Sequence, residues 1–385
     1  MVARENTIRE VSIDYLRAFV TLLVLAHHSS LAYTTFAHLD VAHYLGSTAP
    51  IVDARRWAFL DYAENFNDVF FMSLMFFISG LFVWPALKKK GVGNFLRDRL
   101  LRLGVPFVAG AVFLMPLAYY PSWLADGGSP GYFEFWFHFI LKDGWSSGPL
   151  WFIWVLLFFD AIAAGLYSLL RNKGKGFAFR SAPKAFLAMF LVSFITYVPM
   201  IAHFGFGTWI PFFFPPLWFQ VPRILLYVAW FIAGMAIGSK GIGNGIVAEN
   251  GPLARRWPWW IAACALAYNL LWFVPGILES SHASRLAHDL SYVTLWVLSC
   301  CASCFAFLAL FRGAITKRRA WMDSLARSAY LMYVVHYIFV TWAQYFLLGL
   351  AASAEIKFCI TLGFVIAASW VCASLLRKIP RLGYF

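Results

Sequence analysis

The stretch SIDYLRAFVTLLVLAHHSSLAYT, residues 12–34, places titratable side chains inside an apolar run that is long enough to cross a bilayer. Asp14 and Arg17 stand at its start, and His27 and His28 follow deeper in the run. Such groups are costly at membrane depth, and by default they mark a functional site. The stretch therefore predicts a first membrane helix that carries part of the protein's chemistry.

The whole chain has the composition of a membrane protein. Of its 385 residues, 62% are hydrophobic and 13% are charged, and the mean hydropathy is +0.70. Soluble proteins carry about 25% charged residues and about half apolar ones. We expect an all-α, polytopic membrane helix bundle that forms one transmembrane domain over residues 1–385.

About ten apolar segments are long enough to span a bilayer as helices. They lie at about 13–36, 66–87, 104–123, 149–170, 185–204, 221–239, 257–275, 291–312, 327–348 and 356–376. An even number of spans returns both termini to one side. The connection 205–220 is rich in aromatic residues and proline, so we expect it to lie along the outer interface and not to form a regular helix.

The basic residues fall in clusters between alternate spans. Of the 31 Lys and Arg residues, about 25 lie on the side of the termini, which predicts that both termini are cytoplasmic. The net charge of +13 therefore reports topology, and we expect no nucleic-acid partner. The six cysteines lie in apolar spans, and no His or acidic group accompanies Cys300, Cys301 and Cys304, so we expect small buried side chains and neither disulfides nor a metal site.

The first helix carries its polar groups on one face. At 100° per residue, Asp14, Arg17 and His28 share a stripe, with His28 about 16 Å above Arg17, whereas His27 falls off it. Asp14 and Arg17 can neutralise each other at the inner boundary. His28 then either hydrogen-bonds a neighbouring helix or acts in the chemistry, and the ion pair on its face favours the second interpretation, with His27 beside it.

The segment NFLRDRLLRLGVPF, residues 94–107, contains arginines that suit phosphate recognition. Arg99 and Arg102 are spaced i, i+3 with Arg97 nearby, so a helix there would present paired guanidinium groups at the cytoplasmic surface. The alternative is charge that only sets topology. That alternative explains Arg99 and Arg102 poorly, because their apolar neighbours draw them into the membrane edge.

The ninth span carries a polar stripe of two phenols and an imidazole. Tyr330, Tyr333 and His336 follow at steps of three residues, and they either support helix packing or position a substrate. Ser79 lies in a small-residue notch of the second span, where an ordinary close helix contact is the simpler explanation. Trp151 is expected at the outer interface.

Five motifs occur in an order that resembles the membrane acyltransferase-3 family, in the branch similar to glucan biosynthesis protein C. They are Asp14-x-Leu16-Arg17 with His28, Phe76-Phe77-Ile78-Ser79-Gly80, Arg99-x-x-Arg102 before Pro106, Gly148-Pro149-Leu150-Trp151-Phe152, and Ser328-x-Tyr330-x-x-Tyr333-x-x-His336. The resemblance covers about residues 10–375.

The resemblance implies a bacterial inner-membrane O-acyltransferase. Such an enzyme moves an acyl group of the acetyl or succinyl class from cytoplasmic acyl-CoA to a hydroxyl of an extracytoplasmic glycan or glycolipid. The family's catalytic histidine corresponds to His28, and the arginine pair linked to acyl-CoA corresponds to Arg99 and Arg102. We expect no permanently bound cofactor. We expect contacts with membrane lipid, and an oligomer is compatible with the sequence.

Two other classes of function remain open from the sequence. A transporter of a lipid- or sugar-linked substrate would use His28 and the arginines for binding or proton relay, without acyl transfer. A non-catalytic membrane scaffold would use His28 only for structure. Within the enzyme hypothesis, His28 is the general base, and Tyr330, Tyr333, His336, Ser79 and Trp151 position the acceptor.

Overall fold

The structure of the protein is a computed structural model. It describes residues 10–40, 46–129, 131–142, 144–170, 181–281, 284–315 and 317–379. The basic residues Arg171, Lys173, Lys175 and Arg180, Arg4 and Arg9 near the start, and Arg381 near the end lie outside these ranges.

The described chain is an α-helical bundle, as predicted. Its helices are α1 (Val11–Leu31), α2 (Ala58–Leu81), α3 (Val83–Lys90), α4 (Val92–Arg99), α5 (Val105–Ala109), α6 (Met115–Ala125), α7 (Tyr132–Leu141), α8 (Trp151–Leu170), α9 (Ala182–Phe204), α10 (Ile224–Gly238), α11 (Trp257–Ser280), α12 (Arg285–Ala314), α13 (Ala320–Leu347) and α14 (Ala354–Leu376). Two π-helical segments, Leu100–Gly104 and Gly110–Leu114, join α4, α5 and α6 into one continuous rod.

Eight of the helical segments in the described ranges are long and apolar enough to cross a membrane. They correspond to eight of the ten predicted spans. The remaining two predicted spans correspond to α1 and α13, which carry the polar stripes and pack against each other. We call the end of the bundle where α1 begins the basic face, since Lys88–Lys90 lie there, and the opposite end the far face.

Several predicted boundaries differ from the structure. The first helix ends at Leu31 and not near residue 36, and α2 begins at Ala58, eight residues before the predicted start. Asp61, Glu64 and Asn65 lie before the predicted start of this span because the continuous apolar run begins after them. In the fold they form one face of the helix, which borders a cavity described below.

The connection 205–220 is a short hairpin, in agreement with the prediction that it is not a regular helix. Strand β1 (Trp209–Pro211) pairs antiparallel with β2 (Trp218–Gln220), and Trp209 lies opposite Gln220. Phe213 and Phe214 at its tip are exposed, as side chains at a membrane interface would be. The hairpin lies at the far face between α9 and α10.

Helices α2 and α10 approach closely through glycine. A Cβ atom at Gly234 would overlap the carbonyl oxygen of Phe77, and one at Gly80 would overlap that of Phe231. Such contacts are typical of small-residue packing between membrane helices. The notch predicted around Ser79 and Gly80 is thus a helix contact.

Buried polar ties hold each end of the bundle. At the far face, Lys357 of α14 donates to Asp53 Oδ2 at 2.6 Å, and both side chains are almost fully buried. At the basic face, buried Arg312 donates to Glu10 Oε2 at 2.6 Å and to the carbonyl of Val247 at 2.6 Å. Arg312 is therefore a structural anchor.

The prediction of buried cysteines is correct for most of the set. Cys264, Cys300, Cys301 and Cys304 are buried thiols, and the last three lie in the core on α12. Cys359 is exposed and Cys372 is half-buried, so burial was wrong for Cys359. The reason is that α14 lies at the edge of the bundle with one apolar side facing outward.

Candidate active site

A cavity of about 680 Å³ opens at the far face. Its walls come from the end of α1, the opening turns of α2, the 146–149 segment, the β-hairpin and the middle of α13. Both histidines of α1 border it. The predicted site residues that line it are His27, His28, Tyr333 and Trp151.

His28 faces α13. Its Nδ1 lies 2.9 Å from the carbonyl oxygen of Val24, one turn earlier, and 3.2 Å from Nε2 of His336. The two imidazole rings are 5.0 Å apart, and the ring of Tyr337 is edge-on to His28 at 5.3 Å. His336 is fully buried, and its Nδ1 lies 2.6 Å from the carbonyl oxygen of Tyr333. The sequence stripe on α13 therefore meets the stripe on α1 at this pair of rings.

His27 faces α2, as expected from its position off the His28 stripe. Its Nδ1 is 3.5 Å from Oε1 of Glu64, and its ring lies 5.2 Å from that of Phe71. The Glu64 side chain is about 10% exposed, so this carboxyl is almost enclosed with the imidazole. The two neighbouring histidines thus have different partners on different helices.

An ion pair between buried Arg223 and half-buried Asp68 supports the cavity wall. Arg223 donates to both carboxylate oxygens of Asp68, at 2.8 and 2.5 Å, and its guanidinium lies over the ring of Trp296 at 5.2 Å. A bidentate pair of this kind fixes geometry as well as charge. Both residues line the cavity, so α2 and the start of α10 are held in register there.

Sequence reasoning missed Glu64, Asp68 and Arg223. A signal for the first two was present, because Asp61, Glu64 and Asp68 follow at helical spacing and belong to one face. Asp61 and Glu64 lie before the predicted second span at 66–87, and Asp68 lies within that span, so the prediction separates them. Arg223 lies at the start of the predicted span 221–239, and nothing local in the sequence links it to Asp68.

Aromatic side chains form another wall of the cavity. The ring of Trp151 stacks on Tyr227 at 5.8 Å and meets Trp209 of the hairpin edge-on at 5.5 Å. The hydroxyl of Tyr119 lies 3.1 Å from that of Ser146. Tyr333 donates its hydroxyl hydrogen to the carbonyl oxygen of Pro149. Flat rings beside carboxylate and hydroxyl groups can hold a polar molecule that also has apolar faces.

Two predicted acceptor-positioning residues lie elsewhere. Tyr330 donates to the carbonyl oxygen of Arg102 at 2.7 Å, near the basic face. Ser79 lies in the last turn of α2 at the same face, about 16 Å along the helix from Asp68. Neither lines the cavity. The sequence grouped Tyr330 with His336 because both lie on one face of the helix. Residues on one face still contact partners at different positions along the helix axis.

The three arginines at the basic face have unequal surroundings. Arg99 is half-buried, with Nε 3.2 Å from Oδ2 of the fully buried Asp160 and its guanidinium 5.1 Å from the ring of Phe95. Arg97 and Arg102 are exposed. The prediction of paired guanidinium groups assumed regular helix spacing, but π-helix begins at Leu100 and rotates Arg102 away from the α-helical phase. Asp160 has Arg99 as its ionic partner.

The Asp14–Arg17 pair is confirmed. Arg17 Nη2 donates to Asp14 Oδ1 at 2.6 Å, and the Arg17 guanidinium lies 5.9 Å from the ring centre of Phe82, the residue between α2 and α3. The pair lies at the basic end of α1, two turns or more from the histidines. Its role is therefore separate from the cavity.

Comparison with known proteins places the chain in a family. Residues 10–376 match the acyltransferase-3 family, whose description is "Acyltransferase domain". Glucans biosynthesis protein C of Escherichia coli K12 is 24% identical over 247 residues, 59% of this chain and 57% of that protein. The protein of the same name from Shigella dysenteriae serotype 1 is 24% identical over 246 residues, with the same coverage. The chain thus spans a little over half the length of these curated relatives.

No solved structure matches the chain. The family match covers nearly the whole sequence, and the motifs on α1, α2, α8 and α13 all fall within it. The chain belongs to the acyltransferase-3 family.

Proposed function

We propose that the protein is a membrane O-acyltransferase. It would move a small acyl group, of the acetyl or succinyl class, from acyl-CoA bound at the basic face to a hydroxyl group in the far-face cavity. Family membership supports the reaction type. The name of the relatives, glucans biosynthesis protein C, supports a glycan or glycolipid as acceptor.

One observation carries the proposal: the polar stripe of α13 connects the arginine segment to the histidine in the cavity. Tyr330 bonds the backbone of Arg102, Tyr333 bonds that of Pro149, and His336 meets His28. From residue 330 to residue 336 the helix rises about 9 Å. The extended thioester arm of acyl-CoA is longer than this, so a nucleotide held near Arg102 could present its thioester to His28.

His28 is the general base in this proposal. Its imidazole takes the proton of the acceptor hydroxyl as the oxygen attacks the thioester carbonyl, and the carbon–sulfur bond then breaks. The proton passes from the imidazolium to the departing thiolate, which restores the base. A positioned general base contributes about 10²- to 10⁴-fold to rate. His27 stands beside it and is the second candidate.

The acceptor would rest against the aromatic wall. Trp151 and Trp209 offer flat apolar surfaces for a sugar ring, while Glu64 and the hydroxyl of Tyr119 lie close enough to the histidines to bind sugar hydroxyls. Tyr333 and His336 act through the backbone and through His28. Tyr330 and Ser79 are not included, because they lie outside the cavity.

The donor would be held by the basic face. Coenzyme A is polyanionic, and the exposed guanidinium groups of Arg97 and Arg102 suit phosphate oxygens. Arg99, with only its Nε directed at Asp160, can add its terminal nitrogens. In this arrangement the basic face is cytoplasmic, the protein lies in the bacterial inner membrane, and acyl-CoA is a substrate that leaves as free coenzyme A.

Replacing His28 tests the proposal. Mass spectrometry of surface glycans and glycolipids would be compared between cells that carry the parent chain, His28→Ala, or the control His203→Ala, in which an exposed histidine at the end of α9 is removed. We expect acyl groups with the parent and the control, and their loss with His28→Ala at equal protein level. Normal acylation with His28→Ala would refute the enzyme mechanism, and lost export of an unmodified glycan would identify a transporter.

A further inference from the structure

Two backbone carbonyls determine where the protons of the histidine pair lie. Nδ1 of His336 is 2.6 Å from the carbonyl oxygen of Tyr333, and Nδ1 of His28 is 2.9 Å from that of Val24. A carbonyl oxygen can only accept a hydrogen bond, so each Nδ1 must carry a hydrogen. In a neutral imidazole with hydrogen on Nδ1, Nε2 carries the lone pair.

The contact between the two rings agrees with this assignment. Nε2 of His336 lies 3.2 Å from Nδ1 of His28. Since Nε2 of His336 is an acceptor in this tautomer, the hydrogen on Nδ1 of His28 is shared between it and the Val24 carbonyl. The opposite tautomer of His336 would point an N–H at the N–H of His28 and would place the lone pair of Nδ1 against the Tyr333 carbonyl oxygen.

We propose that His336 is a positioning residue that holds His28 in the Nδ1–H tautomer and so keeps Nε2 of His28 as the proton-accepting nitrogen. This rests on the proposed function of His28 as a general base. His336 is fully buried, and unlike His28 it does not line the cavity, so it acts through His28 and not on the substrate. A third group that orients the base is a general feature of nucleophile–base arrangements.

His336 follows Tyr333 by three residues on α13, and the contact between them explains why both belong to the polar stripe of this helix. Tyr333 supplies both the carbonyl that fixes His336 and the hydroxyl that bonds Pro149 at the cavity wall. Gln344, two turns further along α13, donates to the carbonyl oxygens of His28 and Ser29 at 3.2 and 3.3 Å. Helix α13 therefore contacts His28 through both its ring and its backbone.

A pair of amide substitutions separates positioning from packing. In His336→Gln the side-chain amide reaches the position of Nε2, so its oxygen can accept from His28. In His336→Asn the amide reaches only the position of Nδ1, so it can bond Tyr333 but not His28. Gln344→Leu is the control, because it removes a buried contact of α13 with the His28 backbone and leaves the ring contact in place.

The first measurement is kinetic, on purified protein in liposomes with acetyl-CoA as the donor probe and extracted glycan as the acceptor. We expect His336→Asn to lower kcat about 10- to 100-fold with little change in KM, as loss of one hydrogen bond to the reacting base would. His336→Gln should recover most of that loss, and Gln344→Leu should keep kcat near the parent value. Equal kcat for the Asn and Gln variants would refute the positioning role.

The second measurement does not depend on activity. Solid-state NMR of ¹⁵N-histidine-labelled protein in lipid, with His28 assigned by its loss in His28→Ala, reports which ring nitrogen is protonated. We expect Nδ1–H in the parent and a shift toward Nε2–H in His336→Asn. Nε2–H in the parent would overturn the inference even if His28 is the base. Full acyl transfer by His28→Ala would instead overturn the proposed function, whatever the tautomer.

Discussion

At the residue scale, the polar groups buried in the described part of the bundle divide between structure and chemistry. Asp53 with Lys357 and Arg312 with Glu10 tie connecting segments to helices at either end. His28 borders an open cavity and has a ring nitrogen in contact with a second imidazole. Burial alone does not distinguish these groups. The presence of space for a ligand beside the side chain does.

Removing one member of the Asp53–Lys357 pair should destabilise the protein more than removing both. Lys357→Met leaves a buried carboxylate without a cation, which costs about 3–5 kcal/mol. The double variant Asp53→Leu with Lys357→Met should recover much of that loss. Thermal unfolding in detergent measures the stability of the single and the double variant. A double variant as unstable as Lys357→Met alone would contradict this account of the pair.

At the element scale, the positions of site residues could be predicted where a helix keeps regular α-helical geometry and could not where it departs from it. The different directions of His27 and His28 followed from 100° per residue because α1 is an unbroken α-helix from Val11 to Leu31. The arginine pair did not follow, since π-helix starts at Leu100 between Arg99 and Arg102. The acidic face of α2 was missed because polar residues at the start of a span resemble a loop until their packing against Arg223 is known.

The close approach of α2 and α10 leads to a prediction about glycine. Gly234→Ala places a methyl group against the backbone of Phe77, so one helix must move, and overpacking of this kind costs about 1–3 kcal/mol. Gly165→Ala on the exposed side of α8 meets no atom within 4 Å in the described structure and should be neutral. Thermal unfolding in detergent compares the stability of the two glycine variants. A stable Gly234→Ala protein would show that the helices are further apart.

The contact between α4 and α8 leads to a prediction about the donor. Asp160 holds Arg99 by its Nε, so Asp160→Asn should let that guanidinium move and raise KM for acyl-CoA several-fold, with a smaller effect on kcat. Arg102→Ala should raise the same KM by removing a phosphate contact. Kinetics at varied donor concentration measure this. If both variants keep the parent KM, the donor binds elsewhere.

At the scale of the whole molecule, the basic face and the cavity lie at opposite ends of the bundle. Lys88–Lys90 end α3 at one side, and the β-hairpin and the cavity mouth lie at the other. The charge distribution predicts that the basic face is cytoplasmic, because charge asymmetry is a property of the whole sequence. The cavity itself could not be predicted, because its walls come from segments as distant as Glu64, Trp218 and Tyr333.

The orientation can be tested by labelling intact cells. Single cysteines would be placed at Lys89 on the basic face and at exposed Gly207 beside the hairpin, and treated with a membrane-impermeant maleimide. We expect labelling at residue 207 and, at residue 89, only after the cells are opened, both above the background of the parent chain. Labelling of residue 89 in intact cells would reverse the proposed direction of transfer.

The central claim is that His28 transfers an acyl group from a donor at the basic face to an acceptor at the far face. The most direct measurement uses liposomes with the protein in one orientation, isotope-labelled acetyl-CoA on the basic side and glycan only on the far side. We predict labelled glycan with the parent chain and with His203→Ala, and a fall of about 10²-fold or more with His28→Ala. Labelled glycan formed equally well without the His28 imidazole would contradict the claim.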